Sequence, residues 1–240
     1  MRLTGSRYHL AILCAYPFRP DVDVRDTTQS EAAALGSEAH LYVETVCKGG
    51  DVGPLFLSEN ATRIGKQVMG WLATQPKPTA VEIKLVYDAA TDTARMVDEA
   101  KYPGARNYGP TTASEIPVTL DMVWDLGSSV RCRDLKTGKK DYAHREQLVI
   151  QALAASRYYG RQTAEIGFVW GRLTKCEADP IETLEADDLI AAGWEVAATM
   201  TGIPNATTAT GSHCYFCPAR KQGCPAHAEP TEQERTEAYG

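Results

Sequence analysis

An acidic residue and a lysine stand two positions apart in the segment Asp134-Leu-Lys136-Thr-Gly138. On a β-strand, side chains two positions apart point to the same face, so the carboxylate and the ammonium group would lie side by side. The carboxylate can help to hold Mg²⁺ or Mn²⁺. The lysine can orient an attacking water or neutralise charge that develops on a phosphoryl group. The pair suits phosphodiester hydrolysis, although the same pair is also common on solvated strands.

A second carboxylate, Asp121, stands 13 residues before Asp134. Residues 118–124 alternate as in a strand, and we expect four apolar side chains on one face: Val118, Leu120, Met122 and Trp124. A turn at 126–129 leads into a second predicted strand over 130–136. The two carboxylates would then lie on neighbouring strands of one hairpin and could converge on a divalent ion, which can polarise a phosphate and activate water.

A helix predicted over residues 30–48 carries Gly36, His40 and Glu44 at intervals of four, and therefore on one stripe. A lone histidine is more often structural than a ligand. An imidazole beside two carboxylates nevertheless completes a set of metal-binding groups, so we expect His40 to be a ligand. Glu44 fits a solvated helix face. Further helices are predicted over 61–73, 142–159 and 185–200, and further strands over 81–87 and 166–173. The order indicates a mixed α/β layer structure.

In this order the motifs resemble those of the PD-(D/E)XK nucleases, and within them the RecB/AddB-like exonuclease branch that includes the CRISPR-associated exonucleases. The family pattern has a Gly-x-x-x-His helix, a strand acid, an acid-x-Lys-Thr-Gly segment and a Gln-x-x-x-Tyr helix. The matching residues run in the same order: Gly36 and His40, Asp121, Asp134 to Gly138, and Gln147. Val118, Leu135 and Gln151 stand where the family more often has a glycine, an aromatic residue and the tyrosine.

The resemblance implies a restriction-endonuclease-like mixed sheet flanked by helices, in one nuclease domain over residues 1–227. It implies a metal-dependent DNA nuclease, an exonuclease on single-stranded or end-containing DNA. Three side chains and one backbone carbonyl would bind Mg²⁺ or Mn²⁺: His40, Asp121, Asp134 and the carbonyl of Leu135. Lys136 would be the catalytic lysine, and His40, Asp121 and Asp134 would be the other catalytic residues. Gln147 would contact DNA near the cleaved phosphate.

The charge distribution adds a candidate DNA path. The chain carries a net charge of −6, which argues against general affinity for nucleic acid. Residues 131–145 nevertheless hold six basic residues against two acids. Five of them are predicted to contact DNA: Arg131, Arg133, Lys139, Lys140 and Arg145.

Three of the seven cysteines stand close together as Cys214-x2-Cys217-x6-Cys224. Cysteines at such spacings hold a metal ion or a cluster. The resemblance implies that Cys14 joins these three around a 4Fe–4S cluster, which would close a very long loop and clasp the C-terminus to the start of the domain. Alternatively, His227 completes a zinc knuckle, and Cys14 is a buried thiol.

Composition sets the remaining expectations. The 43% hydrophobic and 23% charged fractions are ordinary for a globular protein, and no stretch is long enough to span a membrane. Clustered cysteines suit a reducing compartment, so we expect a cytoplasmic protein, and the resemblance implies a prokaryotic or phage origin. It also implies partner proteins in recombination, repair or CRISPR adaptation. Residues 228–240 are predicted to be a disordered acidic tail. The alternative function is a catalytically silent nucleic-acid-binding or assembly subunit of the same fold.

Overall fold

The computed structural model describes residues 3–22, 31–104, 107–138, 144–211, 214, 217, 219, 222 and 224–227. The predicted tail over 228–240 and the two lysines Lys139 and Lys140 lie outside these residues. None of the described helices is both long and apolar enough to cross a membrane.

Five α-helices are described: α1 (Tyr8–Leu13), α2 (Glu31–Cys47), α3 (Glu59–Leu72), α4 (Arg145–Tyr159) and α5 (Ala186–Gly202). Their ends follow local chemistry. The Ser58 side chain accepts the Ala61 N–H and caps the start of α3. Helix α4 ends at Gly160, whose φ of 67° is a left-handed conformation that glycine adopts without a Cβ clash.

Seven strands form one sheet: β1 (Ala80–Asp88), β2 (Thr93–Met96), β3 (Glu115–Asp125), β4 (Ser129–Lys136), β5 (Thr163–Gly171), β6 (Cys176–Ala178) and β7 (Glu182–Leu184). The strand order is β2-β1-β3-β4-β5-β6, and β7 also pairs with β5. Strands β1, β3 and β4 are antiparallel neighbours, whereas β4 and β5 are parallel because α4 crosses between them. The predicted mixed α/β sheet flanked by helices is therefore confirmed.

Each face of the sheet has its own apolar core. On one face, α1, α4 and α5 pack against the strands through residues such as Leu153 and Leu189. On the other face, α2 and α3 pack through residues such as Val43 and Val68. Helices α2 and α4 lie on opposite faces of the sheet. A site that combines residues of both helices must therefore lie where side chains from both faces reach the same strands.

The side-chain alternation of β3 reverses in the middle of the strand, which corrects one prediction. The four apolar side chains expected on one face divide between the two cores: Val118 and Leu120 in the first, Met122 and Trp124 in the second. The reversal occurs at Asp121, and Glu82 and Asp121 both lie between the paired residues Val81–Met122 and Ile83–Leu120. Glu82 has a φ of 51°, a left-handed conformation that is costly for a residue with a Cβ and that turns the paired strands locally.

Candidate functional site

An open cavity of about 610 Å³ lies where α2, β1, β3, β4 and the start of α4 converge. Five side chains that the sequence predicts for one site line it together: His40, Asp121, Asp134, Lys136 and Gln147. A sixth group, Glu82, was not predicted and lines the same cavity. We call this cavity the acidic pocket.

His40 is held by groups from three strands. Its Nδ1 lies 2.8 Å from Glu82 Oε1 and 3.6 Å from Asp121 Oδ1, and its Nε2 lies 3.0 Å from the carbonyl oxygen of Leu135. His40, Glu82 and Asp121 each offer a ligand atom within 4.8 Å of the other two. These three side chains can therefore hold a metal ion without rearrangement of the backbone.

Strands β3 and β4 separate at the acidic pocket. Their ladder of paired residues ends at Met122 and Arg133. Beyond it, the Leu135 N–H donates to the Asp121 carboxylate at 2.7 Å, instead of to the backbone of β3. The separation turns the Leu135 carbonyl towards His40, so the predicted backbone ligand faces the other predicted ligands.

Asp134 and Lys136 lie on the same face of β4, as predicted, and α4 fixes both. Lys136 Nζ lies 2.7 Å from Asp134 Oδ2 and donates to Gln147 Oε1 at 2.9 Å. Gln147 and Gln151 both donate to Asp134 Oδ1, at 2.7 and 2.9 Å. Oδ2 is buried and receives no well-aligned hydrogen bond, but it forms an ion pair with Lys136 Nζ. A cation at this oxygen would therefore share it with the lysine or displace the lysine.

The ionisation of the pocket reflects its excess of carboxylates. Burial lowers the pKa of His40, but the negative charges of Asp121, Glu82 and Asp134 outweigh burial and raise that pKa to about 10. Burial raises the pKa of Asp121 well above its usual range, and the charges of Asp134 and Glu82 add to the effect. The pocket without an ion therefore retains protons, and a divalent cation would replace them.

Gly36 explains how α2 comes close enough for His40 to reach the strands. A Cβ at this position would lie 3.1 Å from Thr137 Oγ1, at the end of β4. A side chain here would crowd the Thr137 side chain, which would have to move by a few tenths of an ångström. The glycine four residues before His40 therefore permits the close approach of the helix to the end of β4.

The residues of the acidic pocket fit a hard divalent cation. Mg²⁺ and Mn²⁺ prefer oxygen ligands and accept an imidazole. The pocket offers the carboxylates of Glu44, Glu82, Asp121 and Asp134, together with the Leu135 carbonyl and the His40 imidazole.

Two residues of the site were missed or undervalued from the sequence. Glu82 stands in a segment correctly predicted as a strand, but its contact with His40 depends on which residue it faces on β3. Gln151 stands where the family has a tyrosine. It donates to Asp134 Oδ1 and also to the Thr119 carbonyl at 3.0 Å, so it supports the site from within α4.

The predicted DNA-contacting arginines do not line the acidic pocket. Arg131 pairs with Glu165 at 2.6 Å, and Arg133 is buried and donates to the Asp179 carbonyl. Both lie on the opposite face of β4 from Asp134, because side chains alternate along the strand. Arg145 pairs with Glu182 on the surface. Their contact with DNA stays a prediction that the geometry of the pocket does not support.

The cysteine segment packs against the N-terminal part of the chain. Tyr16 and Val22, which follow Cys14, pack against a buried cluster formed by Ala219 and Cys224, and Cys217 packs against the same cluster. Cys14, Cys214 and Cys224 are buried, and none of the seven cysteines forms a disulfide. Cys132 is buried and Cys47 and Cys176 are half-buried, in keeping with packing roles.

The side chain of His227, the fourth ligand of the zinc alternative, lies outside the part of the chain that the structure describes. Among the described cysteines, no three sulfur atoms lie within 4.8 Å of one another. The zinc knuckle and the 4Fe–4S cluster both stay predictions.

Comparisons with protein-family models and with curated proteins find no match to this chain.

Proposed function

We propose that the protein is a metal-dependent deoxyribonuclease that hydrolyses phosphodiesters in the acidic pocket, acting on single-stranded or end-containing DNA. One observation carries the proposal. His40, Glu82, Asp121, Asp134 and Lys136 come from four elements and meet in one open cavity. Three of them are spaced as metal ligands, and a lysine lies 2.7 Å from a fourth. A solvated strand would not bring these groups together.

The order of elements around the pocket also supports a restriction-endonuclease-like fold. Helix α2 precedes the antiparallel strands β1, β3 and β4, and α4 then leads into β5, parallel to β4. The acid-lysine segment lies on the third of these strands, and Gln147 on the helix that follows. The PD-(D/E)XK motifs would occupy this arrangement in the same order.

Each residue has a distinct task in the proposed reaction. His40, Asp121, Asp134 and the Leu135 carbonyl would hold Mg²⁺ or Mn²⁺, which when bound polarises the phosphate and activates water. Lys136 Nζ would stabilise the charge that develops on the phosphate oxygens. Gln147 holds the lysine through Oε1 and Asp134 through its amide nitrogen, so it keeps the two at a fixed separation.

Glu82 is one of the three side chains spaced as ligands, but we assign it to His40 rather than to the ion, because the two are already hydrogen-bonded. Its carboxylate accepts from Nδ1 and so orients the imidazole, as a carboxylate does for many metal-binding histidines. The strained φ of Glu82 fits this interpretation, because strain in the backbone persists where function requires one conformation.

We also propose that Cys14, Cys214, Cys217 and Cys224 hold a structural 4Fe–4S cluster. The packing of Tyr16, Val22 and Cys217 against the cluster of Ala219 and Cys224 supports it, since this packing brings the C-terminal cysteines to the segment that follows Cys14. Phosphodiester hydrolysis moves no electrons, so the cluster would stabilise the fold and take no part in the reaction.

The direct test is cleavage of end-labelled single-stranded DNA with Mg²⁺ or Mn²⁺ by wild type and by Lys136→Ala. We expect the substitution to lower the rate by about 10²- to 10³-fold, as for loss of one group that stabilises transition-state charge. Lys66→Ala, on the exposed side of α3, is the control and should cleave like wild type. Equal cleavage by wild type and Lys136→Ala would overturn the assignment. DNA binding without cleavage would favour the silent subunit.

A further inference from the structure

A second cavity, of about 630 Å³, lies between the C-terminal ends of α2 and α3 and the start of β1. Its apolar part is formed by Met69, Leu72 and Val81. Two lysines, Lys48 and Lys77, also line it, and no carboxylate does. We call it the lysine cavity. An apolar wall beside two ammonium groups suits a ligand with a flat apolar part and an anionic part.

The two cavities follow one another on the same two elements. The acidic pocket takes His40 and Glu44 from α2, and the lysine cavity takes Cys47 and Lys48. On β1, Glu82 lines the first cavity, and the residues just before it line the second. Lys48 follows the last residue of α2 and stands eight positions after His40, which is about 12 Å at the helical rise.

We propose that the lysine cavity is a subsite for the nucleic-acid strand that is cut in the acidic pocket. Lys48 and Lys77 contact a phosphate of the strand, and one base lies against Met69 and Leu72. The separation of about 12 Å corresponds to three to four nucleotides at about 3.4 Å each. The inference rests on the proposed nuclease function and narrows its substrate to strands that extend at least this far on one side of the cleaved bond.

For a phosphate to bind Lys48, the lysine must give up its present carboxylate partner. Lys48 Nζ lies 2.7 Å from Glu44 Oε1 and 3.9 Å from Glu99 Oε2, and 47% of its side chain is exposed. An exposed ion pair one helical turn apart contributes little to stability, because water screens it. A phosphate can therefore take the place of Glu44 at small cost. Lys77 is exposed and has no ion-pair partner among the residues that the structure describes.

The first experiment measures kcat/KM for oligothymidylates of two to ten nucleotides. For wild type, we expect kcat/KM to rise by about tenfold between three and six nucleotides, which reflects added binding energy from the subsite. The double variant Lys48→Ala/Lys77→Ala should lose this rise. Arg63→Ala/Lys66→Ala removes the same charge from exposed positions on α3 that line neither cavity, and should keep it. If kcat/KM of Lys48→Ala/Lys77→Ala rises with oligonucleotide length as much as that of wild type, the subsite proposal is overturned.

The second experiment does not need catalysis. Cys47 is half-buried and lines the lysine cavity, so its alkylation by iodoacetamide reports occupancy. In Lys136→Ala, saturating ten-nucleotide oligothymidylate should slow alkylation of Cys47 but not of half-buried Cys176, which lines neither cavity. Unchanged alkylation of Cys47 would overturn the subsite. If wild type cleaves nothing while Cys47 is protected, the nuclease assignment fails and the strand-binding role of the cavity stands.

Discussion

The acidic pocket and the cysteine segment both carry metal-binding residues, but they are organised differently. In the pocket, His40 is hydrogen-bonded to Glu82 and to the Leu135 carbonyl, and Asp134 to two glutamines of α4. In the cysteine segment, Cys224 is buried against apolar side chains, and no three sulfur atoms of the described cysteines lie within 4.8 Å of one another. Hydrogen bonds therefore fix the pocket residues, whereas the described cysteines are not gathered as ligands of one ion. Changing a pocket ligand should therefore affect chemistry, and changing a cysteine should affect stability.

The largest expected effect is that of Asp121→Asn. Mn²⁺ affinity, measured by calorimetry, should fall by about 100-fold or more, and cleavage should fall to background. The metal-free protein should keep or gain stability in thermal unfolding with EDTA. Burial already raises the pKa of Asp121 and disfavours its charge, and an asparagine oxygen can still accept the Leu135 N–H. A destabilised variant with unchanged Mn²⁺ affinity would assign the carboxylate a structural role only.

The opposite behaviour is expected of Cys14→Ser in anaerobically purified protein. Iron content should fall, and the free energy of unfolding should drop by about 2–4 kcal/mol, because the clasp that closes a long loop is lost. His227→Ala is the matched control and should change neither quantity. One zinc ion and no iron in the wild type, with loss of zinc in His227→Ala, would replace the cluster with the knuckle.

Substitutions of Glu82 should affect both metal binding and stability, because this residue contacts His40 and has a strained backbone conformation. Glu82→Gln should weaken Mn²⁺ binding by about 10- to 100-fold, since the charge that orients His40 is lost. Glu82→Ala and Glu82→Gly both remove the carboxylate, but only glycine relieves the left-handed φ. The glycine variant should be more stable than the alanine variant by about 1 kcal/mol in urea unfolding. Equal stabilities would mean that the position is unstrained.

The smallest expected effect lies outside both regions. His9 of α1 stacks on His144, with ring centroids 3.7 Å apart. Burial, and then the charge of His144, lower the pKa of His9 to about 4. An unfolded histidine titrates near pH 6.5. Its contribution to stability is therefore complete above about pH 6.5 and is lost as the pH falls towards 4.

The variant His9→Phe keeps a ring on His144 and removes the titration. Between pH 6.5 and 4, wild type should lose about 1 kcal/mol relative to this variant, allowing for the partial exposure of the ring to solvent. Chemical unfolding at several pH values measures the difference. A difference that does not change with pH would contradict the assignment of this acid sensitivity to His9.

The elements of the site were predictable, because their patterns are local. Strand β4, the end of α4 at Gly160 and the helix that carries His40 follow from alternation, a glycine and helical spacing. The short strands β2, β6 and β7 were not predicted, since three or four residues carry too little pattern. The role of Glu82 and the reversal at Asp121 depend on pairing between β1 and β3 and on one left-handed residue. Arg131 and Arg133 were predicted to contact DNA from their charge alone, and the alternation of side chains along β4 places them away from the acidic pocket.

The central claim is that the acidic pocket holds a divalent ion that supports cleavage. Anomalous diffraction from crystals soaked in Mn²⁺ tests it most directly. The account predicts a peak within ligand distance of His40, Asp121, Asp134 and the Leu135 carbonyl, and its loss in Asp121→Asn. Crystals of a protein that cleaves DNA with Mn²⁺ but shows its only peak away from these residues would contradict the account.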